Sequence, residues 1–208
     1  MGKGVIFNKI LEDRFGLKVD KLIEADNLLE ALDKVSVAEG YFLREKEGLL
    51  KFFNEKFSVG EGIRVLSVGC GRGEEVYTIK YICGLLGIFC YVVGLDISLK
   101  NLTNAKVGIY TTYSLRGMKE NFLIRWGSLW RVPPNLQNNT DFVLGNILNL
   151  PFKDGSFDAV VCRNVLIYIK KEKLTDVLSE LKRVGKHLHF GMFDQLLLKN
   201  EGINFPAL

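Results

Sequence analysis

The stretch Val65-Leu-Ser-Val-Gly69-Cys-Gly71-Arg-Gly73-Glu-Glu-Val-Tyr77 decides the fold of this 208-residue chain. It opens inside an apolar run from Ile63 to Val68 and passes three alternate glycines. It continues with apolar residues at Val76, Ile79, Ile82 and Cys83. That pattern predicts a buried strand, a turn and a helix with one apolar face. Glycines at such a turn let backbone approach a ligand closely, because no Cβ stands in the way. The same turn also serves as a plain strand-to-helix connection, so other parts of the chain must decide between the two.

Downstream the alternation continues. A strand is expected over Phe89–Leu95, ended by Asp96, and Ser98 is placed to cap a helix running to about Val107. Phe157–Cys162 reads as another buried strand, a helix follows over Lys171–Val184, and a strand over His187–Met192. Alternating elements of this length predict an α/β fold with a parallel sheet and right-handed crossovers. Residues 108–140 break the rhythm with short pieces and Pro133-Pro134. An inserted antiparallel β-unit is expected over about 110–142, above the sheet edge where substrates bind.

Upstream, residues 1–58 read as a helical region and 59–208 as the α/β domain. Phe7, Ile10, Leu11 and Phe15 mark a first helix ended by Gly16. Val19, Leu22, Ile23, Leu28, Leu29 and Leu32 mark a second, with a break at Asp26-Asn27. Leu49, Leu50, Phe52, Phe53 and Phe57 mark a third. Arg44 stands in an apolar setting, Tyr41-Phe-Leu-Arg44-Glu45, either pinned to a partner or snorkelling from a helix.

Composition narrows the function classes. A net charge of +4 does not argue for nucleic acid. The longest uncharged stretch, Tyr81–Leu95, is shorter than the roughly 18 apolar residues a span requires, and nothing near Met1 reads as a secretory signal. Cys70, Cys83, Cys90 and Cys162 show no paired spacing and suit a reducing, cytoplasmic compartment. The only histidines, His187 and His189, alternate with Leu188 and Phe190. They are expected on the polar face of a strand, and no metal site is expected.

The ligand of the glycine turn is narrowed by charge. Asp96 follows the second strand, where an acid accepts hydrogen bonds from two ribose hydroxyls. The third glycine of a dinucleotide fingerprint would fall at position 74, which is Glu74, followed by Glu75. Two carboxylates at a helix N-terminus repel a pyrophosphate, each at ~4 Å by on the order of 4 kcal/mol for an effective dielectric of about 20. They tolerate a phosphate-free ligand with cationic groups, such as S-adenosylmethionine.

The same residues resemble the chemotaxis receptor methyltransferases, the CheR family. The resemblance rests on Gly73-Glu-Glu-x-Tyr77, Asp96-Ile97, Ala105-x-x-Gly-Ile-Tyr110, Ser114-Leu-Arg116 and Asn146-Ile-Leu148. Most specific is Phe157-Asp-x-x-x-Cys-Arg163-Asn-Val-Leu-Ile-Tyr168. It covers roughly residues 38–192. It implies a Rossmann-like class I S-adenosylmethionine-dependent methyltransferase that forms glutamate γ-methyl esters on chemoreceptors and releases S-adenosylhomocysteine. It also implies a small helical N-terminal part and an inserted β-subdomain. The expected partner is the cytoplasmic region of a chemoreceptor or another protein substrate, met by a monomer that is not membrane-inserted.

Carried over by resemblance, Arg44 meets the methionine end of the cofactor. Gly69, Gly71 and Gly73 line it, with Glu75, and less firmly Glu74, near its amino-acid portion. Asp96 holds the ribose, Asn146 and Ile147 flank the adenine, and Arg163 and Asn164 sit beside the cofactor. Tyr168 and Arg163 face the methyl group and the incoming glutamate as the catalytic pair. The chain departs from the family at Ala38 and Gly40, where polar residues are usual, and at Gly191-Met-Phe-Asp-Gln195. Two other readings stay open from the residues alone: a class I methyltransferase of a small molecule, suggested by Leu150–Asp158, and a regulatory module without activity.

Overall fold

The computed structural model describes residues 3–19, 21–36, 40–116, 118 and 122–203, with side chains from residue 8 onward. Three helices come first: α1 (Lys3–Phe15), α2 (Leu28–Val35) and α3 (Lys46–Lys56). Gly16 ends α1 at φ +62°. The second helix is shorter than its apolar pattern suggested. Asn27 is its N-cap, with Oδ1 accepting from the Glu30 amide at 2.9 Å. An asparagine that competes for backbone N–H groups starts a helix here rather than interrupting one. The preceding segment is irregular, and Leu17 pairs with Ile169 in an isolated bridge.

From residue 62 strands and helices alternate. They are β1 (Gly62–Val68), α4 (Glu74–Leu85), β2 (Phe89–Asp96) and α5 (Leu99–Val107), then β3 (Ile109–Tyr110), β4 (Ile124–Trp126) and β5 (Leu129–Arg131). After α6 (Pro134–Gln137) follow β6 (Thr140–Leu144), β7 (Phe157–Cys162), α7 (Leu174–Val184), β8 (Gly185–Phe190) and α8 (Met192–Asn200). Ser98 caps α5, accepting from the Asn101 amide at 3.1 Å. Among the described residues no helix is long and apolar enough to cross a membrane.

Five strands form a parallel sheet in the order β6-β2-β1-β7-β8. One face is covered by α3, α4 and α5, the other by α7 and α8. Burial on both faces explains why β1, β2 and β7 read as nearly continuous apolar runs. The short strands β3, β5 and β4 make a separate antiparallel sheet. Its strands lie within 109–131, a narrower span than 110–142, because Thr140 already pairs with Val92 as the start of β6.

Two corrections concern the last strand. Met192 belongs to α8 rather than to β8. His189 is buried and His187 half-buried, because α3 lies over them. The Phe52 and His189 ring centroids are 5.0 Å apart, those of Phe57 and His187 5.7 Å. Burial, assisted by the Arg163 charge, lowers the His189 pKa to about 4.

From β1 the chain builds outward in both directions, so β1 is the point where strand order reverses. Val68 pairs with Leu95 on one side and Cys162 on the other. Gly69, Asp96 and Arg163 therefore stand together at the carboxyl ends of adjacent strands, where open α/β sheets bind ligands.

Candidate active site

The glycine turn is shaped by backbone and by neighbours. Gly69 has φ +66°, and a Cβ there would sit 2.4 Å from Val165 Cγ2. Gly71 has φ +55° and nothing within 4 Å of its Cβ position, so that face of the turn is open. Its N–H donates to Asp96 Oδ2 at 2.9 Å, tying the turn to β2. Asp96 is buried, and its Oδ1 accepts from the Ser98 amide at 2.9 Å and from Asn101 Nδ2 at 3.3 Å. Burial raises its pKa against the pull of these donors. Among the described residues Oδ2 has a single donor, and it retains acceptor capacity.

Two adjoining compartments open above the turn. The first, about 670 Å³ including space open to solvent, is mostly apolar, walled by Leu17, Leu95, Ile97, Ile147 and Ile169, with Ser36, Asp96, Asn146 and Asn164 among its polar groups. The second, about 1230 Å³ including space open to solvent, carries charges of both signs: Arg44, Arg116, Arg163, Glu74 and Glu75. Gly69, Asn164 and Tyr168 line both. Of the sequence-predicted residues, Asp96, Asn146 and Ile147 face the first compartment, and Gly71, Arg44, Glu75 and Arg163 the second. Gly73 lines neither: at φ +90° it opens α4, and a Cβ there would lie 2.9 Å from Ala105 Cβ. Ala38 lies outside the described residues.

Arg163 is where the structure departs most from the sequence reading. Its side chain is only 3% exposed. Nε donates to Glu75 Oε2 at 2.7 Å, and Nη1 to the Arg44 carbonyl. Glu75 Oε1 also accepts from Ser67 Oγ at 2.7 Å. The guanidinium expected to orient an incoming carboxylate is thus already neutralised and braces β1, β7 and the 41–45 turn. A free arginine buried at this depth would be costly, which is why it pairs.

Glu74 is also buried. Oε1 accepts from Arg72 Nη2 and Ser114 Oγ, each at 3.0 Å, while Oε2 has no hydrogen-bond partner among the described residues. Gly40 lies against that oxygen, and a Cβ there would be 2.9 Å from it. The Cys70 thiol is no candidate nucleophile at neutral pH. Burial, then the charges of Asp96, Glu75 and Glu74, push its pKa well up.

The loop after β7, which carries Asn164 and Tyr168, is held by a residue the sequence reading passed over. Asp194, fully buried at the start of α8, accepts from the amides of Asn164, Val165 (3.1 Å) and Leu166 (2.9 Å). This carboxylate fixes Asn164 at φ +58° and the 3₁₀ turn that presents Tyr168, which is 43% exposed. Burial raises the Asp194 pKa to about 6 despite those donors. Its sequence signal was an acid just after the last strand, in the segment noted only as a departure. Arg44, from the opposite side, donates to Asn164 Oδ1 at 3.1 Å.

Residues 39–197 match the family model described as the CheR methyltransferase, SAM binding domain. The chain belongs to the CheR methyltransferase family. A chemotaxis protein methyltransferase of Campylobacter jejuni (strain 81-176) is 29% identical, over 74% of this chain and 62% of that protein. Chemotaxis protein methyltransferase 1 of Pseudomonas aeruginosa is 31% identical, over 68% and 58%. That of Salmonella typhimurium is 28% identical, over 99% and 77%. The chain thus spans about six-tenths of the first two relatives.

With the parallel sheet and the strand reversal at β1, the CheR match makes this a Rossmann-like class I methyltransferase fold, and its cofactor is S-adenosylmethionine. The residues present fit that molecule. An apolar compartment with one buried acid suits an adenosine. The unpartnered Glu74 Oε2, bordering the charged compartment, suits an ammonium and would repel a phosphate. The open face at Gly71 leaves backbone within reach of the charged compartment.

Proposed function

We propose that this CheR-family protein methylates glutamate side chains on the cytoplasmic region of a chemoreceptor or related protein, forming γ-methyl esters. Tyr168 carries the reading. It lines both the apolar and the charged compartment and stands half-exposed at their junction, where a protein side chain has access. The names of the relatives, chemotaxis protein methyltransferases, support the substrate class. The reading places the protein in the cytoplasm, acting as a monomer, without nucleic acid.

In this reading Asp96 accepts from the ribose, Asn146 and Ile147 flank the adenine, Gly69 and Asn164 line the path between compartments, and Gly71 lines the charged one. Arg44 and Glu74 receive the carboxylate and ammonium of the methionine moiety. S-adenosylmethionine, when bound, would supply an electrophilic methyl group, the glutamate oxygen forming the new C–O bond as the C–S bond breaks and its electron pair stays on sulfur. A glutamate side chain, with an ordinary pKa of about 4.3, is ionised at neutral pH, so no residue has to remove a proton. That suits a site whose histidines lie beneath α3. Opposite charges vanish in this displacement, so the site contributes by alignment and partial exclusion of water. Tyr168 positions the acceptor oxygen. Arg163 and Glu75 hold the wall rigid.

The test is incubation with methyl-labelled cofactor and chemoreceptor cytoplasmic fragments, followed by base. Volatile labelled methanol is expected from methyl esters. Base-stable label would overturn the carboxylate as acceptor.

A further inference from the structure

The charged compartment holds an imbalance that the roles above do not use up. Three arginines and two glutamates line it. Arg163 and Glu75 neutralise each other, and Glu74 is engaged at Oε1 by Arg72, which lies outside that wall. Arg44 and Arg116 remain, and among the described residues neither has a carboxylate partner. Arg44 is bonded to Asn164, which lines both compartments, so it belongs to the cofactor side. Arg116 lines only the second compartment and is exposed at its rim, at the head of the segment leading to β4.

Arg116 is nevertheless not a loose surface side chain. Its guanidinium carbon lies 4.2 Å from the Tyr113 ring centroid and 5.3 Å from that of Tyr41. Its backbone sits at φ +25°, a region that non-glycine residues rarely occupy. Tyr41 belongs to the same turn as Arg44, whose guanidinium lies 5.5 Å from the same ring. A guanidinium held over aromatic rings by cation–π attraction keeps its N–H donors for a carboxylate, which it can meet in two parallel hydrogen bonds. A stacked side chain also loses less freedom when its partner arrives.

Two carboxylates must enter this compartment if a glutamate is the acceptor, and two guanidinium groups there have no carboxylate partner among the described residues. We infer that Arg116, clamped by Tyr41 and Tyr113, anchors the carboxylate of the acceptor glutamate while Arg44 serves the cofactor. This rests on the carboxyl-methylation reading. A bidentate pair leaves each carboxylate oxygen a second lone pair for attack. Once one oxygen carries a methyl group the charge is gone, so the anchor that draws in the glutamate releases the ester.

The experiment compares wild type, Arg116→Gln and Arg116→Lys on methyl-labelled cofactor and a chemoreceptor cytoplasmic fragment, with cofactor affinity measured by calorimetry on the same preparations. Arg116→Gln is expected to lower kcat/KM for the fragment by about 10- to 100-fold, mainly through KM, and to weaken its salt dependence. Arg116→Lys is expected to fall between, since a lysine keeps the charge but not the fork. Cofactor affinity is expected to change less than about 2-fold, which also reports an intact fold. An unchanged acceptor KM in Arg116→Gln would overturn the assignment while leaving carboxyl methylation standing. An equal loss of cofactor affinity would overturn it by moving Arg116 to the cofactor. Base-stable label in the wild type would remove the parent reading and this one with it.

Discussion

The buried pair Arg163–Glu75 yields the sharpest prediction, because the structure and the sequence reading assign Arg163 different work. The perturbations are Arg163→Met, Glu75→Gln and the double variant. The two side chains are 3% and 14% exposed, and their N–O distance is 2.7 Å. Removing one partner leaves the other charge buried without compensation, which typically costs about 3–5 kcal/mol. Arg163→Met strands the Glu75 carboxylate with Ser67 as its remaining donor among the described residues. Glu75→Gln strands the guanidinium, and because Ser67 and Arg163 donate to different oxygens of Glu75, the amide puts a donor NH2 in place of one of these two acceptors. The double variant removes both charges and keeps similar volume, so it is expected to cost well under the sum. The coupling energy should be at least about 2 kcal/mol, within the range for directly bonded neighbours. Against a total stability on the order of 5–15 kcal/mol, each single loss is large.

Urea unfolding of the four proteins, with slopes compared to exclude a change in the unfolded state, gives the cycle. Acceptor KM is measured alongside. A coupling below about 0.5 kcal/mol would refute the brace. So would an Arg163→Met protein of unchanged stability and raised acceptor KM, which would return Arg163 to the substrate.

Two further predictions concern the glycine turn and the pH response. Gly69→Ala is expected to destabilise by about 2–4 kcal/mol, since strain at φ +66° adds to a 2.4 Å approach to Val165, whereas Gly71→Ala, strained but uncrowded, should cost about 1–2 kcal/mol and chiefly weaken cofactor binding. Urea midpoints check the order, and a costlier Gly71→Ala would refute it. His189 and Asp194 titrate with opposite sign. Neutral His189, with a pKa near 4 against an ordinary 6.5, contributes stability present above pH 6.5 and lost as acid is added, roughly 2 kcal/mol by pH 5. Buried Asp194, at about 6 against an ordinary 3.8, destabilises the charged fold above pH 6 and returns roughly 1.4 kcal/mol by pH 5. For these two groups alone the wild-type slope between pH 7 and 5 is shallow. His189→Phe should tilt it toward greater stability in acid relative to wild type, as read by urea unfolding at both pH values. An unchanged pH dependence in that variant would refute the burial of a neutral imidazole.

Much of the fold was legible because its signals are local. A strand buried on both faces needs a continuous apolar run, a tight turn needs residues that accept positive φ, and a helix start needs a capping oxygen. Those needs fall on consecutive residues, as at Ile63–Gly73 and Asp96–Ser98. The second helix was overread because apolar spacing at Val19, Leu22 and Ile23 does not reveal that Asn27 takes the Glu30 amide. His189 was misplaced for a related reason. Alternation along β8 tells which residues share a face, but not that α3 covers the face carrying the histidines.

The site was legible as a set of positions and not as a set of pairings. Glu74 and Glu75 argued against phosphate on the assumption that both charges face a ligand. In the fold, Arg163 neutralises Glu75, and Arg72 engages one oxygen of Glu74. What still opposes phosphate is the one oxygen of Glu74 that has no partner among the described residues. A partner 88 residues away for Glu75 leaves no local sign in a sequence, and neither do the three amides that Asp194 receives from the segment ending at Leu166. The consequence runs through the site's chemistry. Once Arg163 is committed to Glu75, the positive charge available to an incoming carboxylate comes from turns outside the main sheet, at Arg44 and Arg116. The sheet supplies a rigid, electrically settled floor; in the proposed reading Arg44 serves the cofactor, and recognition of the acceptor moves to Arg116 in the segment after β3.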